Sequence, residues 1–235
     1  RYSWNEPGHT AGMQIVEKYI GRVGDRLTAH AHRRLPYRFH LIANPDLINA
    51  FALPGGHVFI GLGLLQQMTS EDELACVLGH EIEHIDHYHA VERVQIEGQL
   101  KKLDLGGIAF AAQIPLAIWQ AGYSKEQEFE ADREGLRLAA VAGYSSQGVI
   151  DLLNCLAKLD REYVIHSSTP VGELSQVAIE GLLGYFRSHP QPEERLDQAQ
   201  KVIAEDKLDL KKPLTPLAIA SLIRAKHSSA VKEID

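Results

Sequence analysis

The segment His80-Glu81-Ile82-Glu83-His84 carries the densest potential chemistry in the chain. Residues four apart lie on one face of an α-helix, one turn above each other. Both imidazoles can then reach one zinc ion at ~2.0–2.1 Å. Glu81 stands beside them, positioned to touch a water on the zinc rather than the metal itself. Zinc lowers the pKa of that water, and the carboxylate takes its proton as the water attacks a carbonyl. The pattern H-E-x-x-H needs a helical context. Its flanks supply one: Leu74, Val77, Leu78 and Ile85 fall on a buried side, and Gly79 permits close approach just before the first ligand. In a chain with 12 histidines the pentapeptide alone is suggestive, so the rest of a site has to be found.

A catalytic zinc takes three protein ligands and leaves its fourth position open. The acidic stretch Glu126-Gln127-Glu128-Phe129-Glu130-Ala131-Asp132 offers the candidates. Helical geometry chooses among them. Glu128, Asp132, Gly135 and Ala139 share one face, where small residues allow two helices to approach. Glu130, Glu134 and Arg137 share another, polar enough for solvent. Glu128 is therefore the expected third ligand for one zinc ion per chain. Asp132, one turn on, can accept a ring N–H from a ligand histidine and so orient it. His87 and His89 follow the motif too closely to join the same ion and are read as surface or supporting groups. Cys76 is read as core, and a Cys76–Cys155 disulfide is not expected from so sparse a cysteine content.

Elements must hold these groups in place. Ser70 and Glu73 have capping-box spacing and start the motif helix. A second helix begins near Ser124, and others fit 9–34, 90–103, 145–160, 173–186, 193–205 and 214–226. Tyr37–Ala43, Asn49–Leu53 and His57–Ile60 read as strands, the last two joined by a Pro54-Gly55-Gly56 turn. The expected fold is α+β: a mostly helical zincin-type domain with a small sheet. It spans residues 1–205, and 206–235 is a charged helical tail.

Together the motifs resemble a known family. Asn49-Ala50-Phe51-Ala52-Leu53-Pro54-Gly55-Gly56, HEIEH at 80–84, EFEAD at 128–132 and SHP at 188–190 occur in the order of the HtpX/BepA/LoiP group of gluzincin peptidases, metallopeptidase family forty-eight. The resemblance covers about residues 40–200 and agrees on Glu128 as third ligand. It implies that His189 stands near the metal, either steadying the oxyanion of the tetrahedral intermediate or masking the zinc at rest. Arg195 matches the arginine that follows this histidine. The strand His57, Val58, Phe59, Ile60 would offer an edge to which a substrate peptide adds. The implied activity is endopeptidase cleavage of unfolded or misassembled proteins, with a periplasmic or membrane-associated place in the cell envelope.

Composition narrows the rest. The chain has 235 residues, 45% hydrophobic and 23% charged, with net charge −7. No basic stripe exists to neutralise phosphates, so the partner is a protein or peptide and not nucleic acid. Leu105–Trp119 is apolar but, at about 15 residues, short of the ~20 that span a bilayer. It reads as a buried or lid-forming segment, with interfacial membrane contact as the second reading. The chain begins at Arg1, which leaves open what precedes it. Two rival functions stand beside the peptidase. One is a latent peptidase that acts mainly as a chaperone-like binder, with the zinc occluded. The other is a structural zinc module, against which Glu81 speaks, because a closed site needs no base. Cleavage specificity and oligomeric state are not encoded in any motif.

Overall fold

The computed structural model describes residues 11–93, 95, 122–167, 185 and 189–224. The expected segments 90–103 (beyond Arg93) and 173–186 (apart from Tyr185), and the apolar stretch 105–119, lie outside the described residues.

The fold starts with α1, Ala11–Thr28, whose buried face carries Met13, Val16, Ile20, Val23 and Leu27 at helical spacing. Three short strands follow: β1, Arg38–Ile42; β2, Ala50–Leu53; and β3, His57–Gly61. A short helix α2, Leu62–Gln67, leads into α3, Glu71–Asp86, which bears the zinc motif. Beyond it lie α4, Lys125–Val141; α5, Gln147–Ser167; α6, Pro192–Glu205; and α7, Ala220–Arg224. The architecture is α+β with α3 at its centre, buried along nearly its whole length. Among the described residues no helix is long and apolar enough to cross a membrane. Cys76 and Cys155 are not joined in a disulfide.

The sheet corrects one expectation. Its order is β1-β3-β2. β3 pairs with β1 in parallel and with β2 antiparallel, so His57, Val58, Phe59 and Ile60 form the central strand and offer no free edge. The reason is topological. The turn after Pro54, where Gly55 and Gly56 both adopt φ +95, folds β3 back on β2. β1 then closes the other side of β3. The strands left at the edges are β1 and β2.

Both helix starts form as their sequences require. Ser70 accepts a bond from the Glu73 N–H, and the Glu73 carboxylate reaches back to the Ser70 N–H. Ser124 and Gln127 repeat the arrangement at α4. Among the described residues, the expected helix over 214–226 forms at Ala220–Arg224 and not over 214–219. Residues just before it are extended instead: the Glu71 N–H donates to the Thr215 carbonyl, and the Leu217 N–H to the Thr69 carbonyl. Pro216 lies within this pairing, and its missing N–H would break a helix there. Leu217, Ile219 and Ile223 from this segment enter the core.

Candidate active site

α3 contributes His80, Glu81 and His84; α4 contributes Glu128 and Asp132. The two helices meet at a pair of glycines. A Cβ on Gly79 would stand 2.7 Å from the Gly135 carbonyl oxygen, and one on Gly135 would stand 2.6 Å from the His80 nitrogen. No larger residue fits there, and the small face expected on α4 is the face that meets α3. That approach brings Glu128 up to the histidines.

His80 Nε2 and His84 Nε2 lie 3.1 Å apart. Glu128 Oε2 is 3.5 Å from His80 Nε2, and Oε1 is 3.4 Å from His84 Nε2. Donor atoms around one tetrahedral zinc, each ~2.0–2.1 Å from it, stand roughly 3.3–3.4 Å apart. The two imidazole nitrogens are separated by close to one such edge, and each imidazole has one of the two Glu128 oxygens at a comparable distance. All three side chains are buried, and Glu128 Oε1 has no hydrogen-bond partner. A buried carboxylate oxygen calls for a partner, and a cation between these groups supplies one. The donor set fits a metal ion of the zinc class.

The surroundings hold each ring. His80 Nδ1 lies 2.9 Å from Asp132 Oδ1. Arg195, at the start of α6, donates through Nε and Nη2 to the two oxygens of that carboxylate, at 2.9 and 2.5 Å. It also donates to the Tyr185 hydroxyl. His189 sits against Glu128, with Nδ1 2.6 Å from Oε2. The sequence-expected residues His80, Glu81, His84, Glu128, Asp132, His189 and Arg195 thus converge at one place; the strand 57–60 does not join them.

Charge states follow from burial and pairing. Burial raises Glu81 to about 7, with His80 opposing, and its Oε2 accepts no hydrogen bond. For Glu128, burial works upward, but His189, His80 and His84 outweigh it and hold the carboxyl well below its ordinary range. Burial takes His84 down to about 3 despite Glu128. For His80, burial is overcome by Asp132 and Glu128, which lift it to about 10.

Two neighbours carried no sequence signal as site residues. Tyr123 stacks on His84 with ring centroids 3.7 Å apart, and Arg93 lies over the same tyrosine. Tyr123 precedes the Ser124 cap, the one position from which its placement could be anticipated. His89 is buried, with Nδ1 3.2 Å from His84 Nδ1. Asn49, Ala50 and Phe51 of the β2 edge line a cleft with Glu81, Tyr123 and His189. A larger cavity beside His80 and Glu81 is walled by apolar groups, among them Val77, Leu136, Leu153 and Leu156.

A central helix bearing a two-histidine motif, completed by a carboxylate from a neighbouring helix over a small sheet, defines a metalloprotease domain of the zincin-like type. The chain belongs to peptidase family M48, whose family model matches residues 14–203. It is 32% identical over 204 residues to the beta-barrel assembly-enhancing protease of Yersinia pestis, covering 79% of this chain and 38% of that protein. The protein of the same name from Escherichia coli strain K12 is 30% identical over 204 residues, with the same coverage of 79% and 38%. The mitochondrial metalloendopeptidase OMA1 of Bos taurus is 37% identical over 123 residues, covering 44% of this chain and 23% of that protein. The match therefore spans well under half the length of these relatives.

Proposed function

We propose that this domain is a zinc metalloendopeptidase. The observation that carries the reading is the triangle of His80, His84 and Glu128 donor atoms, with separations of 3.1, 3.5 and 3.4 Å. These three residues would hold one zinc ion. When bound, zinc supplies a Lewis acid that polarises the scissile carbonyl and acidifies water. Glu81 does the proton work: its raised pKa, about 7, suits a group that takes a proton from the attacking water and returns it to the leaving amine. Asp132 fixes the His80 ring, and Arg195 fixes Asp132. His189, at the mouth of the triangle, is placed to donate to the developing oxyanion. The outer side of β2, beside Glu81 and His189, is the edge to which a substrate strand would add. Residues 1–205 carry the catalytic side chains, and the described part of 206–235 packs against the start of the motif helix rather than standing apart as a tail.

The name of the bacterial relatives, beta-barrel assembly-enhancing protease, favours β-barrel proteins as the substrate class. Unfolded or misassembled envelope proteins as substrates, and a periplasmic or membrane-associated location, rest on the motif resemblance alone. A second reading rests on one contact. His189 Nδ1 lies 2.6 Å from Glu128, close enough to hold the site shut, in which case the domain acts as a latent, chaperone-like binder.

One set of measurements tests both readings. Metal content and cleavage of a denatured protein are compared for wild type, Glu81→Gln, Glu128→Ala and His189→Ala. The proposal expects Glu81→Gln to keep zinc and lose turnover, and Glu128→Ala to lose both. It fails if Glu81→Gln releases zinc as fully as Glu128→Ala does. Faster cleavage by His189→Ala favours the latent reading; slower cleavage favours the oxyanion role.

A further inference from the structure

On the far side of His84 from Glu128 the structure gathers a second set of donors. α3 ends at Asp86, His87 caps it, and helical structure resumes at His89. Between them Tyr88 takes φ +64, a left-handed turn uncommon for a residue with a side chain. Arg33 lies over the Tyr88 ring at 3.9 Å and braces it. The turn leaves both imidazoles on one side, with ring centroids 5.7 Å apart. Glu130, from α4, reaches them: Oε2 is 3.2 Å from His89 Nε2, and Oε1 is 3.7 Å from His87 Nδ1. One ligand atom from each residue lies within 4.8 Å of the others.

We propose that His87, His89 and Glu130 form a second metal site, for a divalent ion of the zinc class, weaker than the His80–His84–Glu128 site. The donor types, two imidazoles and a carboxylate, suit such ions. The support around the donors is what distinguishes this cluster from ordinary surface charge. Metal-binding imidazoles ordinarily have their other nitrogen held by a carboxylate or another polar group. His87 Nε2 faces Glu83 Oε2 at 3.2 Å. That contact is an ion-pair distance rather than an aligned hydrogen bond, and the other ring nitrogen, Nδ1, faces Glu130. His89 Nδ1 lies 3.2 Å from His84 Nδ1, a contact that holds the His89 ring for metal only when His84 carries no hydrogen on its own Nδ1. Arg133 is the local competitor, 3.8 Å from Glu130 Oε1, but its closer partner is Glu134 at 2.9 Å. His87 and Glu130 are 30% and 39% exposed, so an ion can enter from solvent, and the same exposure lowers affinity.

The two sites compete for one hydrogen. This coupling rests on reading His84 Nε2 as an inner ligand. A neutral His84 that turns Nε2 to a metal carries its hydrogen on Nδ1. A neutral His89 that turns Nε2 to a metal carries its hydrogen on Nδ1 as well. The contact between those two Nδ1 atoms accommodates only one. An ion in the outer site therefore loosens the inner one, and excess zinc restrains the protein.

Zinc titration of chelator-stripped protein, followed by calorimetry, tests the site. Wild type takes up one tight and one weaker equivalent. His87→Gln and Glu130→Gln each lose the weaker equivalent, keep the tight one and melt as wild type does. Glu128→Ala keeps the weaker one. A wild type that takes up only one equivalent at millimolar free zinc overturns the proposal, as does a second equivalent that survives in the His87→Gln/Glu130→Gln double variant. Loss of the tight equivalent from wild type would instead sink the peptidase reading and leave the outer site to stand on the weaker one. In cleavage assays His87→Gln should match wild type at low zinc and resist inhibition at high zinc. Equal inhibition of the two proteins removes the coupling.

Discussion

His80 Nδ1 and Asp132 Oδ1 stand 2.9 Å apart, on two different helices. The contact makes α4 responsible for how a ring on α3 is turned, and for which of its nitrogens faces the metal triangle. Asp132→Ala should weaken zinc affinity about 10–100-fold, the usual cost of losing such a support. Competition against a chelator of known affinity measures it; an unchanged affinity would remove Asp132 from the positioning role. Arg195→Ala is expected to cost about 3 kcal/mol in stability as well, because the largely buried Asp132 loses its bidentate partner and keeps only His80. Urea unfolding reads that loss.

Gly135 and Gly21 should respond to alanine in opposite directions. A Cβ at Gly135 meets the His80 nitrogen at 2.6 Å and the Gly79 carbonyl carbon at 2.8 Å, backbone that cannot swing aside. Gly135→Ala should destabilise by about 1–3 kcal/mol and weaken zinc binding by parting α3 from α4. At Gly21, in α1, nothing lies within 4 Å, so alanine should add about 0.5–1 kcal/mol through helix propensity. Two melting curves decide, and equal shifts in both variants would contradict the packing account.

His40 gives the sheet a pH dependence away from the metal triangle. Burial, then the nearby His57 ring, lower its pKa; Glu17 opposes and Arg38 adds to the shift. A histidine with a depressed folded value binds its proton more readily when unfolded. Stability is therefore full above the unfolded value of ~6.5 and is lost as pH falls through it toward the folded value. His40→Gln should lose less melting temperature than wild type between about pH 7.5 and pH 5.5. Parallel losses would mean that His40 contributes nothing.

Metal removal should be visible without any substrate. An ion that binds only the folded chain stabilises it by mass action. Chelation is expected to lower the melting temperature of wild type, and added zinc to restore it. Glu128→Ala should show neither response at zinc concentrations too low to fill the His87–His89–Glu130 site. A chelator-sensitive Glu128→Ala protein would mean that the stabilising ion sits elsewhere.

Much of the candidate site was legible because helices encode it locally. The i, i+4 spacing of His80 and His84, the face shared by Glu128, Asp132 and Gly135, and both capping boxes depend on residues within a turn or two of each other. What escaped was decided at long range. Strand pattern marked 57–60 as β structure but could not tell a central strand from an edge, since that depends on where β1 and β2 lie. Residues 214–219 have helix-like composition, yet the exposed backbone of Thr69 and Glu71 claims them as an extended partner. Tyr123, stacked on His84, and Arg93, over Tyr123, reach the site through folding alone, with no periodicity linking them to the motif.

The Asp72 carboxylate in the first turn of α3 accepts the Ser145 N–H and the Thr215 N–H, each at 2.6 Å. One side chain thereby ties together three stretches that lie far apart along the polypeptide. The motif helix is seated only after the most C-terminal of them has arrived. During synthesis the last of these ties forms only after Thr215 has left the ribosome, so the motif helix gains its full anchoring late. For a molecule proposed to degrade unfolded proteins, that ordering is protective, because its own unfinished copies are substrates before they are enzymes.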